Sequence, residues 1–273
     1  MGQPHRADGT VVSLHRYPVK SMMGEELNSS YLTERGLLGD RALGLVDQET
    51  GKVASAKNPG KWGRLFDFRA AYAEQPRATD KLPTVRIVLP DGTVLSSDED
   101  IDEALSETLG RRVKLMRPRL DGPTLEEYWP DIEGLANREL VTDETMPPRT
   151  FFDSSPIHLL TTSTIDRLRG LYPEGRFEAR RFRPNIVVGP TGGGADFVEN
   201  SWVGKTLAMG EEVRLKVTAS CARCVMTTLP QGDLPGDLGI LRTAAKHNRA
   251  VVGVYASVLR GGNVRRGDAV TVG

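Results

Sequence analysis

Two cysteines three residues apart, Cys221-Ala-Arg-Cys224, are the most reactive groups in this 273-residue chain and its only thiols. A pair at this spacing serves as half of a zinc site, as a thioredoxin-like redox couple, or as one working thiol beside an incidental one. Zinc would need two more ligands, and no two of His5, His15, His158 and His247 are closely spaced. A redox couple sits at a helix N-terminus, whereas strand-forming residues stand on both sides here, Leu215-Lys-Val-Thr218 before and Val225-Met-Thr-Thr228 after. These arguments weigh against zinc and a redox couple without removing them, and two further readings stand ahead of them. One is a cysteine at a strand end facing a pocket, with Arg223 beside it to favour the thiolate or hold an anion. The other is a pair of small buried hydrophobes.

A second feature is cationic. Arg176, Arg180, Arg181 and Arg183 fall within eight residues and run into Asn185 and the apolar Ile186-Val-Val188. Such a run is either a solvated edge or an anion site, because guanidinium forks match phosphate oxygens. Arg183 and Asn185 alternate onto one face of the strand entrance. Two smaller pieces also suit an anion or the protein surface: Tyr17-Pro-Val-Lys-Ser21 and Gly39-Asp-Arg41. Asp153-Ser-Ser-Pro156 reads as a turn. Gly204-Lys-Thr206 is not a phosphate-binding loop, because Glu199 stands where the first glycine is required. Gly192-Gly-Gly194 lacks a following helix and reads as a turn.

The elements that must carry these groups are mostly strands. Glycine (29) and proline (17) exceed their usual share, and 38% hydrophobic with 26% charged residues is a folded chain's composition. Thirty-six basic and 36 acidic residues balance, which argues against nucleic acid as the main partner. Residues 10–14, 42–46 and 65–68 are short apolar runs broken by Gly and Pro, as in small barrels. Residues 84–95 form a hairpin around Pro90-Asp-Gly92. Ser97 with Asp98, Glu99 and Asp100, then Leu105, Leu109 and Gly110, predicts a helix with a start and a stop. Prolines 123, 130, 147 and 148, with no sustained period, place a connection across residues 118–149. Beyond it the pattern predicts helices at 163–171 and 238–247, strands at 185–188, 212–218 and 251–258, and a closing hairpin over 264–272 around Arg266-Gly-Asp268. Trp202 and Phe197 are expected in the core. No stretch approaches the roughly 20 apolar residues of a membrane helix. The first ten residues lack the apolar core of a secretory signal, and Arg6 stands where a myristoylation signal needs Ser or Thr. The expected location is the cytoplasm, away from membranes.

Taken together, Tyr17-Pro-Val-Lys-Ser21, Gly39-Asp-Arg41, Asp153-Ser-Ser-Pro156, Phe182-Arg-Pro-Asn-Ile186, Trp202-x-Gly204 and Cys221-x-Arg-Cys-x-x-Thr-Thr228 resemble the MOSC-domain family with its N-terminal β-barrel companion. By architecture the resemblance is to amidoxime-reducing components and their bacterial counterparts. It implies a β-rich α+β fold: an N-terminal barrel-like domain over residues 9–120, a connection at 121–132, and a MOSC barrel with peripheral helices over 133–273. It further implies a molybdenum cofactor (Mo-molybdopterin) with Cys224 as metal ligand, Cys221 not being required. Lys20, Ser21, Arg41, Arg183, Asn185 and Arg223 would hold the pterin and its phosphate, with Ser154 and Ser155 nearby. Asp153 would relay a proton to the oxygen that leaves. A soft thiolate suits such a metal. Ala222 stands where relatives often carry a hydroxyl.

The implied activity is oxygen removal from N-hydroxylated compounds such as amidoximes, hydroxylamines and N-oxides. Two electrons would come from an external donor of ferredoxin, flavoprotein or cytochrome type. The iron–sulfur domain of some relatives needs four cysteines, and two are present. The alternative is a sulfur- or cofactor-carrier role in which Cys224 bears a persulfide or the metal. The full sulfurases that resemble this also need a pyridoxal-phosphate domain, for which 273 residues leave no room. A third reading is a non-catalytic binding module, which loss of Cys224 or Arg183 would have favoured.

Overall fold

The computed structural model describes residues 7–118 and 121–273, so His5 and Arg6 fall outside the described residues. Its centre is a closed barrel of seven strands. Around the barrel run Ile186–Pro190, Ile157–Thr161, Val251–Arg260, Val213–Ala222, Thr206–Met209, Ala269–Val272 and Gly9–Arg16, and the last pairs back onto the first. All neighbours are antiparallel except Ile157–Thr161 against Ile186–Pro190. The barrel is filled by Val11, Leu14, Leu159, Ile186, Leu207, Leu215, Val254 and Val270.

The period-two alternation of these strands decides where chemistry can occur. On Ile157–Thr161, Ile157 and Leu159 point into the barrel, while Leu160 packs outside against Ile165, Leu168, Phe182 and Ile240 of the covering helices. His158 therefore also points outward, beside its strand partner Tyr255. The covering helices are Thr162–Leu171, Ala179–Phe182 and Leu238–Asn248.

The N-terminal half forms a second core from Val19, Met22, Leu45, Trp62, Phe68, Ile87, Leu105 and Val113. Small sheets enclose it: Gly44–Asp47 with Val113–Met116, and Arg69–Tyr72 with Val85–Val88 and Val94–Ser96. The two halves are interwoven. Besides Gly9–Arg16 in the barrel, Ser29–Thr33 pairs with Gly262–Arg265 near the C-terminus.

Several expectations are corrected. The stretch 118–149, in which no periodic element was expected, holds a hairpin, Thr124–Trp129 and Leu140–Thr145 pairing through six residues. Only Leu125 of that first strand is anchored in a core cluster, so its pattern was weak. Residues 264–272 form no hairpin, since Gly262–Arg265 pairs with Ser29–Thr33 while Ala269–Val272 joins the barrel. Residues 65–68 fall mostly in the 3-10 turn Gly63–Asp67, and Val225–Thr228 after the cysteines is another such turn, not strand. The helix Asp102–Leu109 ends as expected at left-handed Gly110, but Ser97 does not cap it. The Ser97 hydroxyl instead accepts from Val85 N at 2.9 Å. Trp202 is in the barrel core, and Phe197 packs half-buried on the outer cluster.

Among the described residues no helix is long and apolar enough to cross a membrane. The helix Leu238–Asn248 matters for the site because Arg249 and Ala250 follow it directly. Its N-terminus is capped by Asp237, which accepts from Gly239 N at 2.7 Å. Asp237→Ala should lower stability by about 1 kcal/mol. By calorimetry that is a fall in Tm of roughly 2–4 °C in a chain of this size. An unchanged Tm would show the cap to be idle.

Candidate active site

A cavity of about 500 Å³ lies where barrel, N-terminal half and the Thr124–Trp129 hairpin meet. Lys20, Ser21, Arg41, Asp153, Ser155, Arg183, Asn185, Arg223 and Cys224 all line it, although they come from five separate stretches of chain. Ser154 does not line it and lies exposed on the bend.

The geometry is built around Tyr17. Its backbone N–H donates to Asp40 Oδ1 at 2.7 Å, and its hydroxyl donates to Pro184 O at 3.2 Å. Arg183 lies over the Tyr17 ring at 4.1 Å and Arg41 at 4.9 Å, so one ring draws two guanidiniums into the same region. Burial pushes the Tyr17 hydroxyl up to about 12, keeping it a neutral donor. Asp40 also holds Arg41 and accepts from Asn185 Nδ2 at 3.0 Å. Asn185 Oδ1 in turn accepts from His158 N at 3.1 Å, tying this assembly to the barrel wall. Ser21 accepts from Ala56 N at 3.1 Å and so fixes the loop that carries Lys57.

Backbone strain gathers here. Seven non-glycine residues among those described have left-handed φ, and five of them line the cavity: Ser21, Arg41, Arg183, Arg249 and Ala250. Such conformations cost about 1–3 kcal/mol each outside glycine and persist where surrounding contacts impose them. In this chain they aim three arginine side chains at one space.

The two cysteines differ in role from the expectation for Arg223. Arg223 hydrogen-bonds Cys221 and acts on Cys224 only through its charge. Its Nη1 donates to Cys221 Sγ at 2.6 Å and its Nη2 to Phe182 O at 3.0 Å. Cys221 is fully buried. Burial alone would raise its thiol, but Arg223, His158 and the Tyr255 hydroxyl outweigh that and hold it well below the ordinary thiol range. Cys221 is thus the anchor that aims Arg223. Cys224 lies half-buried in the cavity, where burial, with Glu127 and Asp153, pushes its thiol up to about 11 against Lys57 and Arg223. Without a cation bound to it, Cys224 is a thiol.

Asp153 accepts from Lys20 Nζ at 2.6 Å and lies 3.9 Å from Lys57 Nζ. Burial works against its ionisation, but Lys20 and Lys57 prevail and hold the carboxyl far below the usual range. It is therefore ionised at rest. Burial lowers the Lys20 ammonium from its ordinary value, partly offset by Asp153, so Lys20 is the more willing proton donor of the pair. Because the folded-state Asp153 carboxyl is depressed, its stabilisation is complete above the carboxylate range and is lost as pH falls below about 5. Asp153→Asn should therefore flatten the acid limb of stability measured by thermal unfolding from pH 7 to 3. Parallel curves for variant and wild type would refute the pairing.

Sequence reasoning missed Lys57, Glu127, Trp129, Glu144, His158, Arg249 and Tyr255, which also line the cavity. His158 carried a signal, a polar residue in the apolar run Ile157-His-Leu-Leu160. Lys57 donates to Glu127 Oε2 at 2.8 Å across the hairpin, a pairing with no local sequence signal.

Six cationic side chains and three carboxylates line the cavity, an excess of positive charge around one thiol. Buried Arg223 Nε has no hydrogen-bond partner. This donor set fits a phosphate-bearing group whose soft metal reaches Cys224. Residues 147–271 match the family model of the MOSC domain, and residues 8–111 match that of the MOSC N-terminal beta barrel domain. The chain belongs to the MOSC-domain family. Among curated relatives, mitochondrial amidoxime-reducing component 1 of Mus musculus is 26% identical over 243 residues, covering 81% of this chain and 66% of its own length. Mitochondrial amidoxime reducing component 2 of Rattus norvegicus is 29% identical over 296 residues, covering 96% of this chain and 82% of its own. The molybdenum cofactor sulfurase of Oryza sativa subsp. japonica is 26% identical over 240 residues, covering 79% of this chain and 28% of its own. The match thus spans just under two thirds of the mouse protein. These relatives support a function tied to the molybdenum cofactor and a general enzymatic role.

Proposed function

We propose that this protein is a molybdenum-cofactor-dependent reductase of N-hydroxylated compounds. The observation that carries the reading is Cys224 opening into a cavity with an excess of cationic side chains, one of which, Arg223, has a buried N–H with no partner. In this reading Arg41, Arg183 and Arg223, with Ser21, Ser155 and Asn185, hold the pterin and its phosphate, and Cys224 takes the metal. When bound, the group supplies a two-electron centre able to accept an oxygen atom. The overall change is R–NH–OH + 2e⁻ + 2H⁺ → R–NH₂ + H₂O, with electrons from an external donor protein.

The chain's own residues handle protons and position. Lys20, aligned by Asp153, presents an ammonium proton to the cavity for an oxygen that leaves as water, whereas Lys57, whose ammonium Asp153, Cys224 and Glu127 hold well above its ordinary range against burial, keeps its charge. Asp153 acts as the acceptor that keeps Lys20 aimed. The half-buried cavity restricts bulk water around these charges, which strengthens them.

The test is molybdenum analysis of protein made in a host that synthesises the cofactor, followed by benzamidoxime reduction with dithionite-reduced methyl viologen. Near-stoichiometric metal and benzamidine formation are expected. No metal, from a host shown to load another molybdenum enzyme, would overturn the reading and favour sulfur transfer at Cys224. The donor and the cellular location remain part of this proposal.

A further inference from the structure

The cavity lining is of two kinds. Lys20, Arg41, Arg183 and Arg223 make one part cationic. The hairpin of Thr124–Trp129 and Leu140–Thr145 and the turn between its strands contribute Trp129, Leu135 and Glu144. The Trp129 indole N–H donates to Thr142 Oγ1 at 2.8 Å, and the same hydroxyl donates to Glu144 Oε1 at 2.8 Å. One threonine thus fixes the plane of a ring and the direction of a carboxylate. Glu127 is paired with Lys57 and Asp153 with Lys20, whereas Glu144 has no ion-pair partner among the described residues. An aromatic face beside an uncompensated carboxylate is a receptor for a flat cation. It is also a poor surface for a phosphate, which the cationic part of the lining attracts.

We infer that Trp129 and Glu144 form the substrate-selecting wall and favour flat aromatic compounds that carry a positive charge. The inference rests on the reductase reading and narrows its substrate class. Compounds with an anionic group at the same place are rejected by Glu144, and neutral ones fall between. Thr142 is a positioning residue that acts through both.

Calorimetric titration of the cofactor-loaded protein with benzamidine, its neutral isostere benzamide, and benzoate tests this. Benzamidine should bind about tenfold more tightly than benzamide, the order expected for one charge-assisted contact. Benzoate should bind weakest. Glu144→Gln should erase the preference while keeping wild-type molybdenum content. Trp129→Leu should weaken all three probes. Thr142→Val should weaken benzamidine, and Thr142→Ser should restore it. In turnover, Glu144→Gln should lower the ratio of kcat/KM for para-trimethylammonio-benzamidoxime over the para-carboxy analogue about tenfold, mainly through KM.

Equal affinity for the three probes, or a preference that survives Glu144→Gln, would overturn the inference. Benzamidine binding only to cofactor-free protein would also overturn it, because the wall would then belong to the cofactor. An intact benzamidine preference without turnover of any N-hydroxylated compound would instead support a cation-selecting wall and overturn the reductase reading.

Discussion

Protein with Cys224→Ser should emerge from a cofactor-making host with background molybdenum, while Cys221→Ser should retain most of the wild-type content. Serine is nearly the same size as cysteine but a hard, weakly acidic oxygen, so it preserves the cavity and removes the soft ligand. The metal-free Cys224 thiol, pushed up to about 11, implies that metal binding displaces a proton. Cys221→Ser has a different effect. It weakens the contact that aims Arg223 without touching the proposed ligand. Its cost should therefore appear as faster cofactor loss on dilution or gel filtration. Equal metal in both variants would sink the assignment of Cys224, and metal lost only with Cys221→Ser would transfer the role to the buried thiol.

The largest effect on stability should come from Gly253→Ala. Gly253 has φ +87°, and a Cβ there would meet His158 Nε2 at 2.3 Å and Leu159 O at 2.4 Å. The second contact is backbone in the neighbouring barrel strand, so no rotamer change relieves it. Overlap of this kind, added to an unfavourable left-handed φ, places the cost above about 4 kcal/mol. A fall in Tm of about 10 °C or more is expected, or failure to accumulate as soluble protein. Gly51→Ala is the control, because Gly51 also has positive φ, at +71°, but nothing lies within 4 Å of its Cβ position. It should cost only about 1 kcal/mol. Similar unfolding curves for Gly253→Ala and wild type would show that the strands can move apart there.

What was legible in the sequence follows the range of the interactions involved. The hairpin of Val85–Val88 and Val94–Ser96 and the helix Leu238–Asn248 are specified by neighbouring residues, through Pro90-Asp-Gly92 and through Asp237 with periodic Ile240, Leu241, Ala244 and Ala245. The cationic side of the cavity was legible because Lys20, Arg41, Arg183 and Arg223 sit in short distinctive motifs. The acidic and aromatic side was not. Trp129 and Glu144 stand on a hairpin with few buried positions, in a stretch where four prolines suggested irregular chain. Lys57 meets Glu127 only because Tyr128 N bonds to Lys57 O at 2.8 Å and lays the hairpin along that loop. The role of Cys221 was equally hidden, since it depends on a guanidinium two residues away folding back over it. The closing hairpin failed for a related reason. Its two strands have the right residues for pairing with each other, but each finds a longer-range partner instead, Thr206–Met209 for one and Ser29–Thr33 for the other.

The closure of the barrel by Gly9–Arg16 bears on how the chain is made. That strand bonds Ile186–Pro190 on one side and Ala269–Val272 on the other. It is translated well before either partner, Ile186–Pro190 or Ala269–Val272. Its Val11, Val12 and Leu14 must therefore wait in a nascent chain without their shelter, and barrel closure joins a strand made early to one made more than 250 residues later. The N-terminal half can gather its own core of Val19, Leu45, Phe68 and Ile87 meanwhile, so vectorial synthesis yields a folded piece tethered to a waiting strand. The pocket, which needs Lys20 from one side of that delay and Cys224 from the other, is the final part of the molecule to come into being.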